Sequence, residues 1–298
     1  MLPSGTAIRV TCAILVALAT PAASAQALDS AAVDAAVCGT ALSPDELRMI
    51  ADLSDTTTLA GDSLQRSETA VDRLHRITEI LVSHRDRRGL FPLGWDAVEQ
   101  VAVMPLQRDP AAFADRDYAH AVSLELLRRI LVNLHAEFTG GNAEPQWAHY
   151  FEMARQCEIS GARVAMAGYN AQYTVDIAYS VAAVASKPEN APDYFKIIDA
   201  ISSTGDVVID RTKQVYDADL GPLWRFYFVG EGLDLVVGKG VATGSMRRAV
   251  DLGYGAIVFD NGLALQDPSV RNVKESEIRL LYATTESAFD MLTRLRAL

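Results

Sequence analysis

The sequence predicts an all-α protein, a single multi-helix, bundle-like domain that follows a signal peptide. Three observations favour this class: apolar residues recur at steps of three and four, capping residues precede several of these runs, and strand-like runs are scarce. Residues 207–209 and 255–259 have the composition of short strands, but both adjoin helical patterns. Hydrophobic residues make up 50% of the chain and charged residues 22%, which is the balance of a folded globular protein.

The N-terminus carries the predicted signal peptide, residues 1–25. Arg9 is followed by an apolar run and then by small residues, which offer cleavage after Ala25 or after Ala27. The apolar run is too short to span a bilayer, and an uncleaved N-terminal anchor is the alternative. We expect residues 26–298 to form a soluble domain that is periplasmic or secreted, with no integral membrane segment after cleavage.

The mature chain is expected to be acidic. Loss of Arg9 with the signal peptide leaves 26 basic residues (27 less one) against 38 acidic residues, a net charge of −12. Such a chain repels a phosphate backbone, which argues against nucleic acid as a partner. No motif for a cofactor stands out, and we expect none.

Two cysteines, Cys38 and Cys157, remain after cleavage. In an oxidising compartment this pair predicts one disulfide, which would tie the N-terminal segment to the middle of the chain. Closing so long a loop would stabilise the fold by about 4 kcal/mol in the chain-entropy account. Two buried free thiols are the alternative.

The helices can be placed in order from their caps, beginning with a capping box formed by Ser43 and Glu46. Further helix starts are expected at Asp62, Asp109–Pro110, Trp147, Gly161 and Asn190, with ends at Gly89, Gly140–Gly141, Cys157 and Lys187–Pro188. The last helix shows the clearest amphipathic pattern, and its packed face is predicted to comprise Ile278, Leu281, Thr285, Ala288, Leu292 and Leu295.

A polar stripe on the central apolar helix is the most informative feature of the sequence. Asp176 is the only charged residue between positions 164 and 186. Helical spacing aligns it with Tyr169, Tyr173 and Ser180, and places Gln172 and Tyr179 beside them. A carboxylate in so apolar a helix has to be paired, hydrogen-bonded or protonated, because stranding it costs several kcal/mol.

Two interpretations of this stripe are open. In the functional one it lines a pocket, with Asp176 as the acid/base group or ligand anchor and Asn170 and Tyr173 as the other candidate catalytic residues. The candidate ligand-binding residues are then Tyr169, Gln172 and Arg247. In the structural one, tyrosine hydroxyls and an arginine satisfy Asp176 and set the helix register, and the residues alone favour this interpretation.

None of the five histidines lies in a known zinc-binding motif, so no metal site is predicted. Three carboxylate–histidine pairs lie one helical turn apart: Asp72/His75, Asp117/His120 and His149/Glu152. Helical bundles can build metal sites from pairs of this kind, which makes His120 and His149 the subsidiary candidates. Solvated or core-packed histidines are the alternative.

The tetrapeptide Gly61-Asp62-Ser63-Leu64 matches the block of a large esterase family whose nucleophile is the serine. In that family a strand precedes the block, and a DxxH motif follows near the C-terminus. Here the preceding strand is weak, an amphipathic helix follows, and no histidine lies beyond His149. Asp62 or Ser63 acting as a helix cap accounts for the tetrapeptide.

Several short motifs lie in the middle of the chain: Pro145-Gln146-Trp147, Phe151, Ala167-Gly168-Tyr169-Asn170-Ala171, Asp176-Ile177-Ala178 and Asp193-Tyr194. Together they resemble an uncharacterised bacterial family, the domain of unknown function 5995. The family pattern reads Ala-Gly-x-Asn-Ala-His with an aspartate a few residues on, and here Gln172 stands in the histidine position. The resemblance implies a helical domain in which Asn170 and Asp176 are important, and it implies no activity.

Three function classes follow from the sequence. The protein is an exported hydrolase of a small or lipid-like molecule, a non-catalytic periplasmic protein that binds an apolar ligand, or a structural or interaction domain. The ligand in the first two classes is an unknown small molecule, and no nucleophile–base pair can be assembled from the sequence. A stripe open to solvent favours the first two classes, whereas an occluded stripe with paired polar atoms favours the third.

Overall fold

A computed structural model describes residues 35–220 and 241–295, without the side chains of residues 241–251. The predicted signal peptide, with cleavage after Ala25 or Ala27, lies outside the described residues and stays a prediction. The described residues contain no strand, and residues 207–209 and 255–259 are both helical. The all-α fold class is therefore confirmed.

The helices follow one another along the chain, and three of the connections up to α10 contain 3₁₀ turns (Thr56–Thr58, Arg87–Gly89 and Pro188–Asn190). The helices are α1 (Pro44–Ser54), α2 (Ser63–Ser83), α3 (Leu90–Val98), α4 (Met104–Arg108), α5 (Arg116–Thr139), α6 (Pro145–Arg155), α7 (Gly161–Asn170), α8 (Ile177–Ala183), α9 (Ala191–Ser202), α10 (Gly205–Tyr216), α11 (Val241–Ala264) and α12 (Arg271–Arg294).

Two helix starts have the capping boxes that their residues suggest. The Ser43 hydroxyl accepts a hydrogen bond from the Glu46 N–H (3.2 Å), and the Glu46 carboxylate accepts one from the Ser43 N–H (2.7 Å). Asp62 and Gln65 form the same reciprocal pair at the start of α2. These bonds satisfy N–H groups that have no partner within the first helical turn.

The helix expected from Asp109–Pro110 begins later, at Arg116. The Asp109 carboxylate accepts a hydrogen bond from the Ala111 N–H and so closes a turn, while Asp115 caps α5 by accepting from the Tyr118 N–H. Phe113, which lies between these two aspartates in the sequence, is buried. The predicted start was wrong because this connection packs an aromatic ring into the core instead of continuing as a helix.

The C-terminal helix α12 matches the predicted packed face only in part. Ile278 is buried as expected and Leu281, Thr285 and Leu292 are half-buried, but Ala288 is exposed and Leu295 is 69% exposed. Glu286 is buried and forms an ion pair with buried Arg163 on α7, which sets the rotation of the helix. The packed face consists of Ile278, Tyr282, Glu286 and Phe289.

Two π-helical turns interrupt the α-helical geometry. Residues Glu99–Val103 join α3 to α4, and residues Ala171–Asp176 join α7 to α8. The backbone at both ends of the second turn is right-handed helical, so α7, the turn and α8 form one continuous central helix, residues 161–183. A π-turn holds more residues than an α-turn and is frequently found at functional sites.

The central helix lies within the hydrophobic core. Buried apolar residues from Val37 to Ile278 form one connected cluster, and the central helix contributes a run of small side chains to it. Aromatic rings pack around it, with Phe91 edge-on to Trp147 at 5.1 Å between ring centroids. No helix among the described residues combines the length and apolar character that a membrane crossing needs.

Cys38 and Cys157 form the predicted disulfide, with their Cα atoms 5.4 Å apart. The bond joins the segment before α1 to the loop after α6, across a sequence separation of 119 residues. This prediction is confirmed.

Candidate functional site

The second π-turn distributes the predicted site residues over three faces of the central helix. In an α-helix, residues seven apart return to the same face, which is the spacing of Tyr169 and Asp176. The wider π-turn lies between these two residues and breaks that alignment. The structure therefore divides the predicted stripe, and each part contacts a different neighbouring helix.

Asp176 faces α6 and is completely buried. One carboxylate oxygen accepts a hydrogen bond from Gln146 Nε2 at 3.2 Å, and the other accepts one from Trp147 Nε1 at 2.8 Å. The structural interpretation assigned tyrosine hydroxyls and an arginine to this carboxylate. The structure supplies an amide and an indole instead.

The environment of Asp176 shifts its titration to near-neutral pH. Burial raises the pKa of Asp176 to about 7, and the negative charge of Glu144 adds to the rise. The hydrogen bonds from Trp147 and Gln146 and the positive charge of Arg129 lower the pKa by smaller amounts. A buried carboxyl group thus changes its charge in the range where acid–base groups operate.

Gln172 and Ser180 lie about one turn on either side of Asp176 and are also completely buried. Within the described residues, neither polar atom of the Gln172 amide nor the Ser180 hydroxyl has a hydrogen-bond partner. Such groups cost about 1–3 kcal/mol each unless an internal water satisfies them. Because all three side chains have no exposed surface, a molecule in bulk solvent does not reach Asp176 in this conformation.

Tyr169 and Tyr173 face α3. The Tyr169 ring packs edge-on against Phe91, with 5.2 Å between centroids, and the Tyr173 ring packs edge-on against Trp95 at 6.2 Å. Burial raises the pKa of Tyr169 well above its ordinary value, so its hydroxyl stays protonated. These two rings contribute to the aromatic core and do not contact Asp176 through hydrogen bonds.

Asn170 faces α12 and lies in a polar network that sequence reasoning missed. Its Nδ2 donates to the Glu286 carboxylate at 2.7 Å and to the Tyr282 carbonyl oxygen at 3.1 Å. Its Oδ1 accepts a hydrogen bond from the Thr174 hydroxyl at 2.5 Å, and that hydroxyl lies 2.6 Å from the Tyr254 hydroxyl on α11. The network connects the central helix to both C-terminal helices.

Glu286 extends this network to α6 and to the start of α7. Arg163 donates to its carboxylate at 2.5 Å, and His149 Nε2 lies 3.2 Å from the same oxygen. Burial acts to raise the pKa of Glu286, but the hydrogen bonds from His149 and Asn170 and the charge of Arg163 outweigh it, so the pKa is lowered. Glu286 is therefore held as a carboxylate inside the protein.

A second buried acid lies at the other π-turn. Burial raises the pKa of Glu99 to about 8, with the Trp95 indole opposing the rise and the charge of Asp96 adding to it. One Glu99 oxygen has no hydrogen-bond partner in the part of the chain that the structure describes. Each π-turn thus contains a buried carboxyl group that titrates near neutral pH.

Three of the histidines have hydrogen-bond partners on other helices. His75 Nδ1 bonds with Asp96 (2.9 Å), His149 Nε2 with Glu286 (3.2 Å), and His120 Nε2 with the Gln107 carbonyl oxygen (3.1 Å). The subsidiary metal candidates His120 and His149 therefore lie in separate environments. Across residues 35–220 and the described part of 241–295, no group of three histidine, cysteine, aspartate or glutamate side chains is arranged to hold a metal ion.

Arg247 was the remaining candidate for ligand binding. It lies in α11, in the part of the helix whose side chains are outside the described residues. Its role stays a prediction.

These features define a class of protein: an all-α domain built around a central helix that carries buried polar groups and contains a π-turn. The chain belongs to the Family of unknown function (DUF5995), whose family model matches residues 67–238, more than half of the chain. The matched range contains Asn170 and Asp176 and ends before Glu286. No curated protein and no solved structure is significantly similar to this chain.

Proposed function

We propose that the protein is a structural or interaction domain, in which the buried polar residues of the central helix determine packing and carry out no chemistry. One observation carries this proposal: Asp176 has no exposed surface, and both of its carboxylate oxygens accept hydrogen bonds from α6. A general acid or base has to come within about 3 Å of its substrate. The groups within reach of Asp176 are the side chains that hold α6 against the central helix.

The network around Asn170 supports the same role. Asn170 and Thr174 connect the central helix to α11 and α12, through Tyr254 and Glu286. Buried polar groups that find their partners in only one packing arrangement favour that arrangement over other compact ones. Small apolar side chains specify the register of packed helices only weakly. The buried polar residues thus set that register here.

One observation favours a second candidate, the binding protein for a mainly apolar ligand. The Gln172 amide and the Ser180 hydroxyl are buried without partners in the described residues. The polar end of a small molecule, or an internal water, would satisfy them. Mass spectrometry of the purified protein under native conditions separates the two, because only a bound ligand adds a defined mass that is lost on unfolding.

The pH dependence of stability tests the structural role of Asp176. Its folded pKa of about 7 lies above the ordinary 3.8, so the native state binds more protons than the unfolded state between these values. Stability therefore falls as the pH rises through this window. Asp176→Asn does not titrate at this position. The free energy of unfolding of the variant minus that of the wild type should therefore increase by up to about 4 kcal/mol between pH 4 and pH 7.

Urea denaturation at several pH values measures this difference. The control is Asp210→Asn, which replaces an exposed aspartate on α10 and should show no gain of this size. The wild type and Asp176→Asn are also assayed on a panel of esters and phosphoesters. A wild-type turnover that disappears in Asp176→Asn while the free energy of unfolding is unchanged contradicts the structural role.

We also propose that the mature chain is periplasmic or secreted. The Cys38–Cys157 disulfide supports this location, because such bonds persist in oxidising compartments. N-terminal sequencing of the exported protein should find a chain that starts at Gln26 or Leu28. A chain that retains Met1 in an otherwise folded protein contradicts the proposal.

A further inference from the structure

The solvent-facing side of α12 carries large apolar side chains that are 58–69% exposed: Val273, Leu280, Met291 and Leu295. We call these four residues the outer stripe. We propose that the outer stripe is an interface between two copies of the protein, which pack their α12 helices antiparallel about a two-fold axis. In naming a partner, the inference builds on the proposed interaction role, but its test does not involve Asp176.

The four residues are aligned along one face of the helix. At about 100° per residue, Leu280 and Met291 lie within about 20° of Val273 around the helix axis, and Leu295 lies within about 40°. The packed face of α12 described above lies on the opposite side of the axis. Single exposed apolar residues are common on protein surfaces, whereas an apolar patch that extends along an element marks an interaction site.

The middle of the outer stripe has no exposed charge and is lined by small side chains. Between Leu280 and Phe289 the only charged residue is Glu286, which is buried. Besides Leu280, the exposed positions in this stretch are Ala283, Thr284, Ser287 and Ala288. Small side chains allow two helices to approach closely, and the core of an interface is depleted of charged residues. This part of α12 therefore suits contact with another helix.

The outer stripe is symmetric about Thr284, which indicates a second copy as the partner. Val273 and Leu295 each lie 11 residues from Thr284 (284 − 273 and 295 − 284). Antiparallel packing with Thr284 on the two-fold axis therefore places Val273 of each copy against Leu295 of the other. Leu280 lies opposite Ala288 in the same arrangement, a large side chain against a small one. A two-fold interface requires such self-complementarity, in which residue i meets residue j and j meets i.

The charged residues beside the outer stripe are compatible with this pairing. The same edge of each helix meets in a two-fold antiparallel pair. Arg279 and Asp290 lie on one edge, five and six residues on either side of the axis, and both side chains are exposed. Arg279 of one copy therefore lies near Asp290 of the other. Glu277 lies opposite Met291, and its charge is already paired with Lys274 at 2.9 Å.

Sedimentation equilibrium of the mature protein tests the proposal at about 0.15 M salt, where repulsion between the acidic copies is screened beyond about 8 Å. We expect a dimer whose dissociation constant rises about a hundredfold in Leu280→Glu, because the dimer buries this leucine twice. Leu280 is exposed in the single copy, so the variant should keep its circular dichroism spectrum. The control Met49→Glu adds the same charge at an exposed apolar residue on α1 and should leave the dissociation constant unchanged.

Cysteine cross-linking tests the register of the two helices. Thr284→Cys places two thiols at the two-fold axis and should give a disulfide-linked dimer under mild oxidation. In Ser276→Cys the two thiols are 16 residues apart along the helix pair (twice 284 − 276), a distance of about 24 Å, so they should stay unlinked. Both positions are exposed in the single copy, so both variants should fold.

Four results overturn the proposal, whatever the Asp176 experiment shows. The first is a wild type that stays monomeric at its highest soluble concentration. The second is a dimer that Leu280→Glu and Met49→Glu affect equally, and the third is equal cross-linking of the two cysteine variants. The fourth is a monomer that floats with phosphatidylglycerol vesicles and loses this binding in Leu280→Glu, which assigns the outer stripe to a membrane surface instead.

Discussion

At the scale of single residues, Glu286 is a central member of the buried polar network, although it was not among the predicted site residues. It accepts hydrogen bonds from Asn170 and Arg163 and lies beside His149, so it joins α12 to both α6 and the central helix. Its side chain is 11% exposed and that of Arg163 is 3% exposed. The ion pair is therefore largely desolvated, and loss of one partner leaves the other buried.

We expect Glu286→Ala to lower the free energy of unfolding by about 3 kcal/mol, because removing one partner leaves the Arg163 guanidinium buried with only the half-exposed Asp290. Urea denaturation at neutral pH measures the change. The matched control is Glu277→Ala on the same helix, whose exposed pair with Lys274 should contribute less than about 1 kcal/mol. Equal losses in the two variants would show that Glu286 is not the buried partner of Arg163.

The same residue adds an acid-sensitive component to stability. Since the folded pKa of Glu286 lies below the ordinary 4.5, its contribution is present above that value and is lost as the pH falls through the folded pKa. Asp176 and Glu99 act in the opposite sense, because their folded pKa values are raised. The difference in the free energy of unfolding between the wild type and Glu286→Ala should therefore become smaller as the pH falls below 4.5.

The sequence identified Asp176 and Asn170 but not Glu286, and the difference has a physical origin. A single charge in an apolar helix is visible in the sequence, because burial of that helix follows from its composition. Glu286 lies among many charged residues on α12, and its partner Arg163 is 123 positions away. Its burial depends on tertiary packing, which no local pattern encodes.

At the scale of elements, the central helix and α11 come into close contact at Gly262. A Cβ atom at this position would lie 2.5 Å from Val181 Cβ and 2.7 Å from the Ala178 carbonyl oxygen, so only glycine allows this approach. Gly253 lies on the same helix, and a Cβ atom there would meet nothing within 4 Å. The two glycines form a matched pair in one helix, one in a tight interface and one in open space.

Gly262→Ala should destabilise the protein by about 1–3 kcal/mol, because the added methyl group forces the two helices apart. Gly253→Ala should stabilise it by up to about 1 kcal/mol, since alanine favours a helix and meets no obstacle. Thermal and urea denaturation of both variants measure these opposite changes. A stabilising Gly262→Ala would mean that α11 and the central helix are not packed at this point.

Local signals predicted some elements and misled about others. The helix starts at Ser43 and Asp62 depend on capping residues next to them in the chain, and these starts were predicted correctly. At Asp109 the same type of residue closes a turn, because burial of Phe113 prevails over helix propensity. No residue type marks the π-turn in the sequence. The apolar periodicity therefore gave no sign that Asp176 and Tyr169 face different helices.

At the scale of the whole molecule, the disulfide connects the N-terminal segment to the middle of the chain. The loop that contains Cys157 is also held by the Arg87 guanidinium, which donates to the carbonyl oxygens of Gln156 (2.8 Å) and Ile159 (2.6 Å). These hydrogen bonds keep the loop in place independently of the covalent bond. The all-α class and the disulfide could both be predicted, because helical periodicity and the single cysteine pair left after the predicted cleavage indicate them without knowledge of the packing.

Cys38→Ser combined with Cys157→Ser should lower the free energy of unfolding by about 4 kcal/mol, because the cross-link limits the unfolded chain over a separation of 119 residues. We expect a native circular dichroism spectrum, since Arg87 still holds the loop. Guanidinium denaturation of the double variant and of the oxidised wild type measures the difference. Equal midpoints for the two proteins would mean that the bond does not restrict the unfolded state.

The π-turn at residues 171–176 makes the number of residues in the central helix as important as their identity. A π-turn accommodates one residue more than an α-turn, so removing a single residue there would let the backbone close into regular α-turns while α8 kept its faces. Asp176 would stay beside the Trp147 indole, and Asn170 would keep its place against α12. Removal of a second residue, with no wide turn left to absorb it, would rotate everything downstream by about 100° and give every partner of α8 the wrong side chain.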